Sequence, residues 1–225
     1  MKTKSLITVG ALFAVSALSA HAAIVITEVM SSSAHNAGTN NADWFELTNT
    51  GPIAVNLTNW TWDDNDAMPG SANFGSLTSI AAGQSIIFNG EPVGEEASWI
   101  SNWGLSGVTV VNLGGAVFQS FGSGGDQVNV YNGSSVLVAN VSFSTATMGF
   151  SFEWDANGPS LGGTSLNLSV LGENGAFRAI SNGQNTGNGP GVDIGSPGFI
   201  PEPSSAAALF GACALVGAAL RRRRR

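Results

Sequence analysis

The stretch DQVNVYNGSSVLVANVSF, residues 126–143, gives the clearest indication of the fold. Val128 and Val130 alternate with other residues at 126–131, which is the period of a half-buried β-strand, and a second run returns through Val136, Val138 and Val141. Between the two runs, Asn132 and Gly133 supply the pair of positive-φ residues that a type I′ turn requires. The stretch therefore predicts an antiparallel β-hairpin.

Short strands of the same character extend in both directions from this hairpin. Between residues 23 and 199, Gly, Asn, Ser and Thr interrupt short β-branched and aromatic runs, and helical periodicity is nearly absent. This spacing predicts an all-β sandwich or barrel. The exception is residues 94–105, where Trp99 and Trp103 are four residues apart. That segment fits a short helix and an irregular crossover equally well.

In the first two predicted strands, alternation assigns residues to opposite faces of a sheet. IVITEVM (24–30) is followed, after a polar loop, by DWFELTN (43–49), in which alternation places Phe45 and Leu47 on one face. The opposite face carries Trp44, Glu46 and Thr48. We expect the two strands to be neighbours in one sheet.

The next run, VNLTNWTW (55–62), breaks the alternation, because Trp60 and Trp62 fall on the opposite parity from Leu57. A one-residue bulge at Thr58–Asn59 would return both tryptophans to the core side, and asparagine tolerates the left-handed backbone that some bulges need. We therefore predict a bulged strand. Regular pairing through Asn59 would contradict it.

Charge separates the middle of the chain from its ends. The whole chain has a net charge of −7, but residues 23–199 contain no lysine and only Arg178 as a basic residue, against fourteen carboxylates. Such an acidic segment is repelled by nucleic acid and by anionic lipid headgroups. Nucleic-acid binding is therefore excluded.

The inventory of reactive side chains argues against an enzyme. The single cysteine, Cys213, lies in an apolar run near the end of the chain, and His35 is the only histidine in residues 23–199, in a polar loop where it is expected to be solvated. Cysteine, lysine or paired-histidine catalysis and a His/Cys zinc site therefore cannot be built there. We predict a non-enzymatic domain stabilised by core packing rather than by disulfides.

An acidic loop follows the tryptophan-containing run. Asp63, Asp64 and Asp66, with Asn65 between them, supply oxygen ligands of the kind that Ca²⁺ prefers. The spacing lacks the pattern of an EF-hand loop, so a solvated acidic turn is favoured over a calcium site. No other cofactor is expected.

Two further groups of side chains allow more than one interpretation. Glu28 and Glu46, on neighbouring strands, have the chemistry of an acid/base pair for a glycoside, but a structural role as acceptors of loop N–H groups is favoured. Four aromatic residues have the chemistry to stack on sugar rings, although packing in the core is favoured for most of them. They are Trp44, Trp99, Trp103 and Tyr131.

Residues 1–22 have the form of a secretory signal peptide. Lys2 and Lys4 precede a short apolar stretch that ends in Ala20-His21-Ala22, a small-x-small cleavage pattern. The stretch is too short and too interrupted by polar residues for a membrane-spanning helix. We expect cleavage after Ala22.

The order of these strands resembles that of the lamin tail domain family. The resemblance runs from IVITEVM through DWFELTNTGPIAVNLTNWTWDD, IAAGQSIIF and the 126–143 hairpin to GFSFEWD and IGSPG, or residues 24–198. It implies an immunoglobulin-like β-sandwich over residues 23–199, a non-catalytic module found on secreted and surface proteins of bacteria. Asn59 departs from the family pattern, in which a glycine is expected.

The last segment, 200–225, resembles a PEP-CTERM sorting signal. Pro201, Glu202 and Pro203 precede an uncharged apolar run at 204–220, which at about 1.5 Å per residue is at the short end of what spans a bilayer. The chain then ends in a basic cluster that the positive-inside rule places in the cytoplasm. The cluster is Arg221, Arg222, Arg223, Arg224 and Arg225.

Together the two ends predict a route for the protein. A PEP-CTERM tail implies recognition by an exosortase, a membrane-embedded transpeptidase-like enzyme, in a Gram-negative bacterium that makes extracellular polysaccharide. We expect transient anchoring in the inner membrane, then a structural or adhesive role at the cell surface or in the matrix, with polysaccharide or surface proteins as partners. The alternative is a calcium-dependent carbohydrate- or protein-binding module.

Overall fold

The computed structural model describes residues 24–34, 43–65, 67–181 and 193–199. The predicted signal peptide, His35, Asp66 and the predicted sorting signal lie outside these residues. Among the described residues, no helix has the length and apolar character needed to cross a bilayer.

The described part of the chain is built from short strands and one helix. Its first half contains β1 (Ile24–Met30), β2 (Trp44–Asn49), β3 (Val55–Asn56), β4 (Thr61–Asp63), β5 (Ala72–Asn73), β6 (Ser79–Ile80), β7 (Ser85–Asn89) and α1 (Glu96–Trp103). Its second half contains β8 (Thr109–Asn112), β9 (Asp126–Tyr131), β10 (Leu137–Phe143), β11 (Phe152–Trp154), β12 (Ser165–Leu168), β13 (Phe177–Arg178) and β14 (Ile194–Gly195).

Two larger sheets form the sandwich. The six-stranded sheet has the order β12-β11-β1-β2-β7-β8, and the four-stranded sheet has the order β10-β9-β4-β5. Neighbours are antiparallel except β7 and β8, which are parallel. Two-stranded ribbons, β3-β6 and β13-β14, complete the described strands. The predicted all-β sandwich is confirmed at this level.

The core between the sheets is aromatic. Phe45, fully buried, lies 4.9 Å from the ring of Trp62 and 5.3 Å from that of Phe88. Leu47 joins the same cluster, so the predicted division of β2 into two faces is confirmed. Burial of such large side chains removes most of their apolar area from water, which is the main source of stability in a domain without disulfides.

The helix covers the opposite face of the six-stranded sheet. Trp99 and Trp103 of α1 meet Trp44 edge to face, with ring centroids 5.8 and 5.7 Å apart. Gly104 ends the helix in a left-handed conformation, with φ 68°. The helical interpretation of this segment is therefore the correct one, and both faces of the sheet are buried.

The predicted bulge at Thr58–Asn59 is wrong. A turn separates β3 from β4 there, with the Trp60 N–H donating to the Leu57 carbonyl and Asn59 at φ 62°. The two strands belong to different sheets, so the parity change arises from a break in the strand rather than from a bulge within it. Trp62 is nevertheless buried, as the parity argument requires.

The predicted hairpin is confirmed, but its turn is of another type. The carboxamide of Asn132 accepts the N–H groups of Ser134 and Val136, and positive φ occurs at Ser135 rather than at Asn132 and Gly133. A left-handed residue after a tight turn is the pattern of a three-residue hairpin loop. The asparagine side chain, by bonding to the backbone ahead of it, selects this turn.

Candidate functional site

Three buried glutamates lie in a row across the six-stranded sheet. Glu28 of β1 is directly opposite Glu46 of β2 on one side and Glu153 of β11 on the other. Each is at most 3% exposed. We call these three residues the glutamate row; the predicted proximity of Glu28 and Glu46 is confirmed.

A β-bulge in β1 creates this row. Register shifts between Ile26 and Glu28, so that Thr27 is the extra residue opposite β2. Ile24 and Ile26 face the sandwich core before the bulge and Val29 faces it after the bulge. The bulge therefore places Thr27 on the same side as Glu46, to which its hydroxyl donates at 2.5 Å.

The last described segment of the chain is held by the glutamate row. The Ser196 N–H donates to Glu28 Oε1 at 2.7 Å, and the Gly198 N–H donates to Glu46 Oε2 at 2.6 Å. The Ser151 hydroxyl also donates to Glu28, at 2.5 Å. We call residues 193–199 the C-terminal strap; the predicted role of Glu28 and Glu46 as acceptors of loop N–H groups is confirmed.

Burial changes the titration of Glu28 and Glu46. Desolvation raises the pKa of Glu46 to about 7, although hydrogen bonds from Thr27 and Gly198 oppose the shift. The pKa of Glu28 is raised well above its usual value, first by burial and then by the charge of Glu46. At neutral pH Glu28 and Glu46 therefore carry less charge than two free glutamates would.

The glutamate row offers no room for a sugar substrate. The cavity beside Glu46 and Glu153 has a volume of about 10 Å³, enough for roughly one water molecule. Glu153 itself accepts the Ser169 hydroxyl at 2.7 Å and the Asn174 amide at 3.0 Å. The geometry thus supports the structural role rather than acid/base chemistry on a glycoside.

The acidic loop is partly folded into the domain. Asp63 is 1% exposed and accepts the Met68 N–H at 3.1 Å, while Asp64 accepts the Asn65 N–H at 2.6 Å. Burial raises the pKa of Asp64, helped by the charges of Asp126 and Asp63. Within the described residues, no group of three or more His, Cys, Asp or Glu side chains is placed to hold a metal ion.

All four aromatic residues considered for sugar stacking are buried. Trp44, Trp99, Trp103 and Tyr131 are each at most 5% exposed, so the core interpretation is confirmed for them. A stacking platform needs an exposed ring face, which these side chains lack.

An open groove of about 580 Å³ lies at one side of the sandwich, and the sequence did not reveal it. It is bounded by the end of β10 and the residues after it, and by β11 and β12. The four residues of β12 were not recognised as a strand, because SLNL is short and lies inside a long Gly-, Asn- and Ser-rich region. Unless β12 is recognised as a strand, the sequence does not show that its residues lie across a groove from the end of β10.

The lamin tail domain family model matches residues 17–145, more than half of the chain. The chain belongs to this family. The family consists of immunoglobulin-like, non-catalytic domains, in agreement with the sandwich described above. No curated protein and no solved structure matches the chain.

The family match ends before several elements of the same sheet. β11 and β12 extend the six-stranded sheet, and the C-terminal strap packs on it, yet all three lie after residue 145. Glu153 and one wall of the groove therefore belong to the part of the chain outside the match. A signal for Glu153 was present, since it alternates with the core residues Phe152 and Trp154 as Glu46 does with Phe45 and Leu47.

Proposed function

We propose that this lamin tail domain protein is an exported, non-enzymatic protein of the cell surface or extracellular matrix, of structural or adhesive type. The observation that carries the proposal is the order of the last segment: Pro201-Glu202-Pro203, the uncharged run 204–220 and the arginines 221–225. The signal-peptide pattern at residues 1–22 supports export. An exosortase would recognise the tail in the inner membrane and process it.

Two features of the domain support the non-enzymatic part of the proposal. Family membership provides a module without catalytic activity of its own. In addition, Glu28 and Glu46 accept backbone N–H groups, and the cavity beside Glu46 has a volume of only about 10 Å³. Carboxylates in this position maintain the fold and are out of reach of a polymer substrate.

The test is the fate of the tail in two hosts. The full chain is expressed in a Gram-negative host with an exosortase and in the same host after deletion of that enzyme. We expect the surface fraction to lack residues 204–225 by mass spectrometry only in the first host. Intact residues 204–225 on the mature surface protein would overturn the proposal.

A variant of the motif makes the same test specific. Replacing both prolines, Pro201→Ala with Pro203→Ala, is expected to leave the chain in the inner-membrane fraction. Pro159→Ala, in an exposed loop of the domain, is the matched control and should be processed as the wild type is.

The acidic loop supplies a second candidate function, calcium-dependent binding to carbohydrate or protein. The observation in its favour is that Asp64 lies within the field of two other carboxylates, Asp63 and Asp126, whose repulsion a cation would relieve. Asp66 would be the third loop ligand. Calorimetric titration with millimolar Ca²⁺ tests it: absence of both heat and a melting shift would dispose of the calcium site without affecting the export proposal.

A further inference from the structure

We propose that the groove between β10 and β12 binds a neutral, polyhydroxylated ligand, namely a short stretch of uncharged polysaccharide. This inference rests on the proposed surface or matrix function, because it names the partner of that function. The site is separate from the glutamate row and from the acidic loop. Its volume of about 580 Å³ is in the range of pockets that bind small molecules.

The groove is uncharged in the part that the structure describes, and its lining is half polar and half apolar. Its described lining includes five neutral side chains with hydrogen-bonding groups: Ser142, Ser144, Thr145, Ser165 and Asn167. All five residues are exposed. No charged side chain occurs among the described residues that line it. This neutral lining offers a sugar hydroxyl both donors and acceptors.

The hydrogen-bonding capacity of this lining is largely unused. Within the described residues, the hydroxyls of Ser142 and Ser144 and the carboxamide of Asn167 have no hydrogen-bond partner. The Ser165 hydroxyl accepts the Asn167 N–H at 3.1 Å but keeps its own proton to donate. A ligand with many hydroxyls would satisfy these groups in exchange for water.

The apolar part of the groove suits the C–H faces of sugars rather than a strongly hydrophobic ligand. Val170 is 50% exposed, whereas Trp154 below it is 3% exposed. The aromatic rings of the lining, Phe143, Phe152 and Trp154, are each at most 9% exposed. A ligand would therefore combine apolar contact at Leu168 and Val170 with hydrogen bonds to the polar half of the lining. This favours a weakly binding, extended polymer over a lipid or an aromatic compound.

An extended peptide is a poorer occupant because neither edge of the groove is a good template for strand addition. At the middle of β10, the Asn140 N–H donates to the Ser160 carbonyl, and the Gly162 N–H donates to the Asn140 carbonyl, so loop residues already occupy that edge. β12 is four residues long, and its register shifts next to Asn167, which has φ 77°. Short, bulged edges resist pairing with another chain.

An acidic polysaccharide is disfavoured by the field of the domain. Carboxylates outnumber the single arginine fourteen to one in residues 23–199, so an anionic polymer is repelled before it reaches the neutral groove. The ligand class that remains is a neutral glycan.

The test is affinity electrophoresis of the purified full-length chain, solubilised in a polyoxyethylene detergent to avoid competition from glycoside detergents. Gels contain dextran or hydroxyethylcellulose as neutral polymers, or alginate as an anionic one. We expect retardation by at least one neutral polymer. We expect none by alginate when the five terminal arginines, which could bind an anionic polymer, are replaced by serine.

Two variants locate the site. Asn167→Gly removes the carboxamide at a position whose positive φ glycine adopts without strain, and Ser142→Ala with Ser144→Ala removes two hydroxyls from the opposite wall. Each lost hydrogen bond should weaken binding roughly three- to tenfold. Asn59→Gly, the same substitution at another left-handed asparagine outside the groove, is the matched control and should bind as the wild type does.

The outcomes separate this inference from the function on which it rests. Wild-type affinity in both groove variants, binding to alginate alone, or no binding to either neutral polymer would each overturn the groove proposal, even if the tail is processed at the surface. Conversely, groove-dependent binding by the purified chain, combined with intact residues 204–225 on the mature surface protein in the host with an exosortase, would support the groove and overturn the sorting proposal. Unchanged melting temperatures of the variants ensure that lost binding is not lost folding.

Discussion

The two faces of the six-stranded sheet are both buried, but different chemistry holds them. One face packs Phe45, Leu47 and Ile86 against the four-stranded sheet. The other packs tryptophans at one end and buries Glu28 and Glu46 at the other, beneath the C-terminal strap. The apolar face gains stability from every atom it removes from water, whereas the glutamate row is stable only because each carboxylate finds donors. The first face tolerates imperfect geometry better than the second.

The largest effect is expected on the apolar face. Phe45→Ala removes a fully buried ring that contacts several other rings, including those of Trp62 and Phe88. We expect the free energy of unfolding to fall by about 3–5 kcal/mol. Urea unfolding followed by tryptophan fluorescence measures it, with Val136→Ala, 55% exposed, as the control. A loss below about 1 kcal/mol would mean that this face is not the main core.

The second-largest effect is expected in the glutamate row, where two substitutions of Glu28 distinguish the loss of a hydrogen-bond acceptor from the loss of charge. Glu28→Ala leaves the buried Ser196 N–H without its acceptor, which should cost about 1–3 kcal/mol. The Ser151 hydroxyl loses the same acceptor but keeps the Ser169 hydroxyl as a partner. Glu28→Gln keeps one acceptor and removes the charge that burial penalises, so its cost should be clearly smaller. The same unfolding measurement applies to both. Equal losses would show that the carboxylate acts only by filling space.

Stability should also depend on pH through the glutamate row. Because burial raises the folded-state pKa of Glu46 to about 7, the folded state favours the protonated form. Its contribution is complete below the unfolded value near 4.5 and is lost as the pH rises through about 7. From Glu46 alone we expect stability to fall by about 2 kcal/mol between pH 5 and pH 8.

Asp43 contributes to the same loss of stability with rising pH, since burial raises its folded-state pKa to about 7. The check is a series of melting curves across this pH range. Glu46→Gln should flatten the profile, whereas Glu173→Gln, at an exposed position, should not change it. A wild-type profile that rises from pH 5 to pH 8 would contradict the assignment.

The smallest effect concerns the turn between β3 and β4, which lies outside both faces. Asn59→Gly replaces a residue at φ 62° with one that adopts this conformation freely, so stability should change by less than about 0.5 kcal/mol. Asn59→Ala should cost about 1 kcal/mol, because alanine is strained there. Thermal melting compares the two. Equal stability of both variants would mean that the turn relaxes.

The apolar face was predictable because it needs only alternation. Phe45 and Leu47 could be assigned to one side of β2 from parity alone, and the valines of residues 126–143 predicted their hairpin in the same way. The glutamates of β1 and β2 were expected to be neighbours for the same reason. Local pattern is sufficient wherever the strand is regular and its partner is close in sequence.

The structural features that the sequence did not predict depend on single hydrogen bonds or on residues distant in the chain. The bulge at Thr27 arises from pairing with two strands, one of which is more than a hundred residues away. The turn type at Asn132 follows from which backbone N–H its side chain accepts, and two turn types fit an Asn-Gly pair. The strand β12 is visible only once β11 is in place beside it.

The C-terminal strap also sets the moment at which the domain can complete its fold. Glu28 lies in the first strand, and the N–H that it accepts comes from Ser196, 168 residues later. In a chain exported amino terminus first, as proposed, β1 and β2 emerge early and their carboxylates stay hydrated until the strap arrives. Contacts this remote in sequence form late. Closure of the fold and arrival of Pro201 outside the membrane would therefore be nearly simultaneous, so that the sorting enzyme meets a domain that has just finished folding.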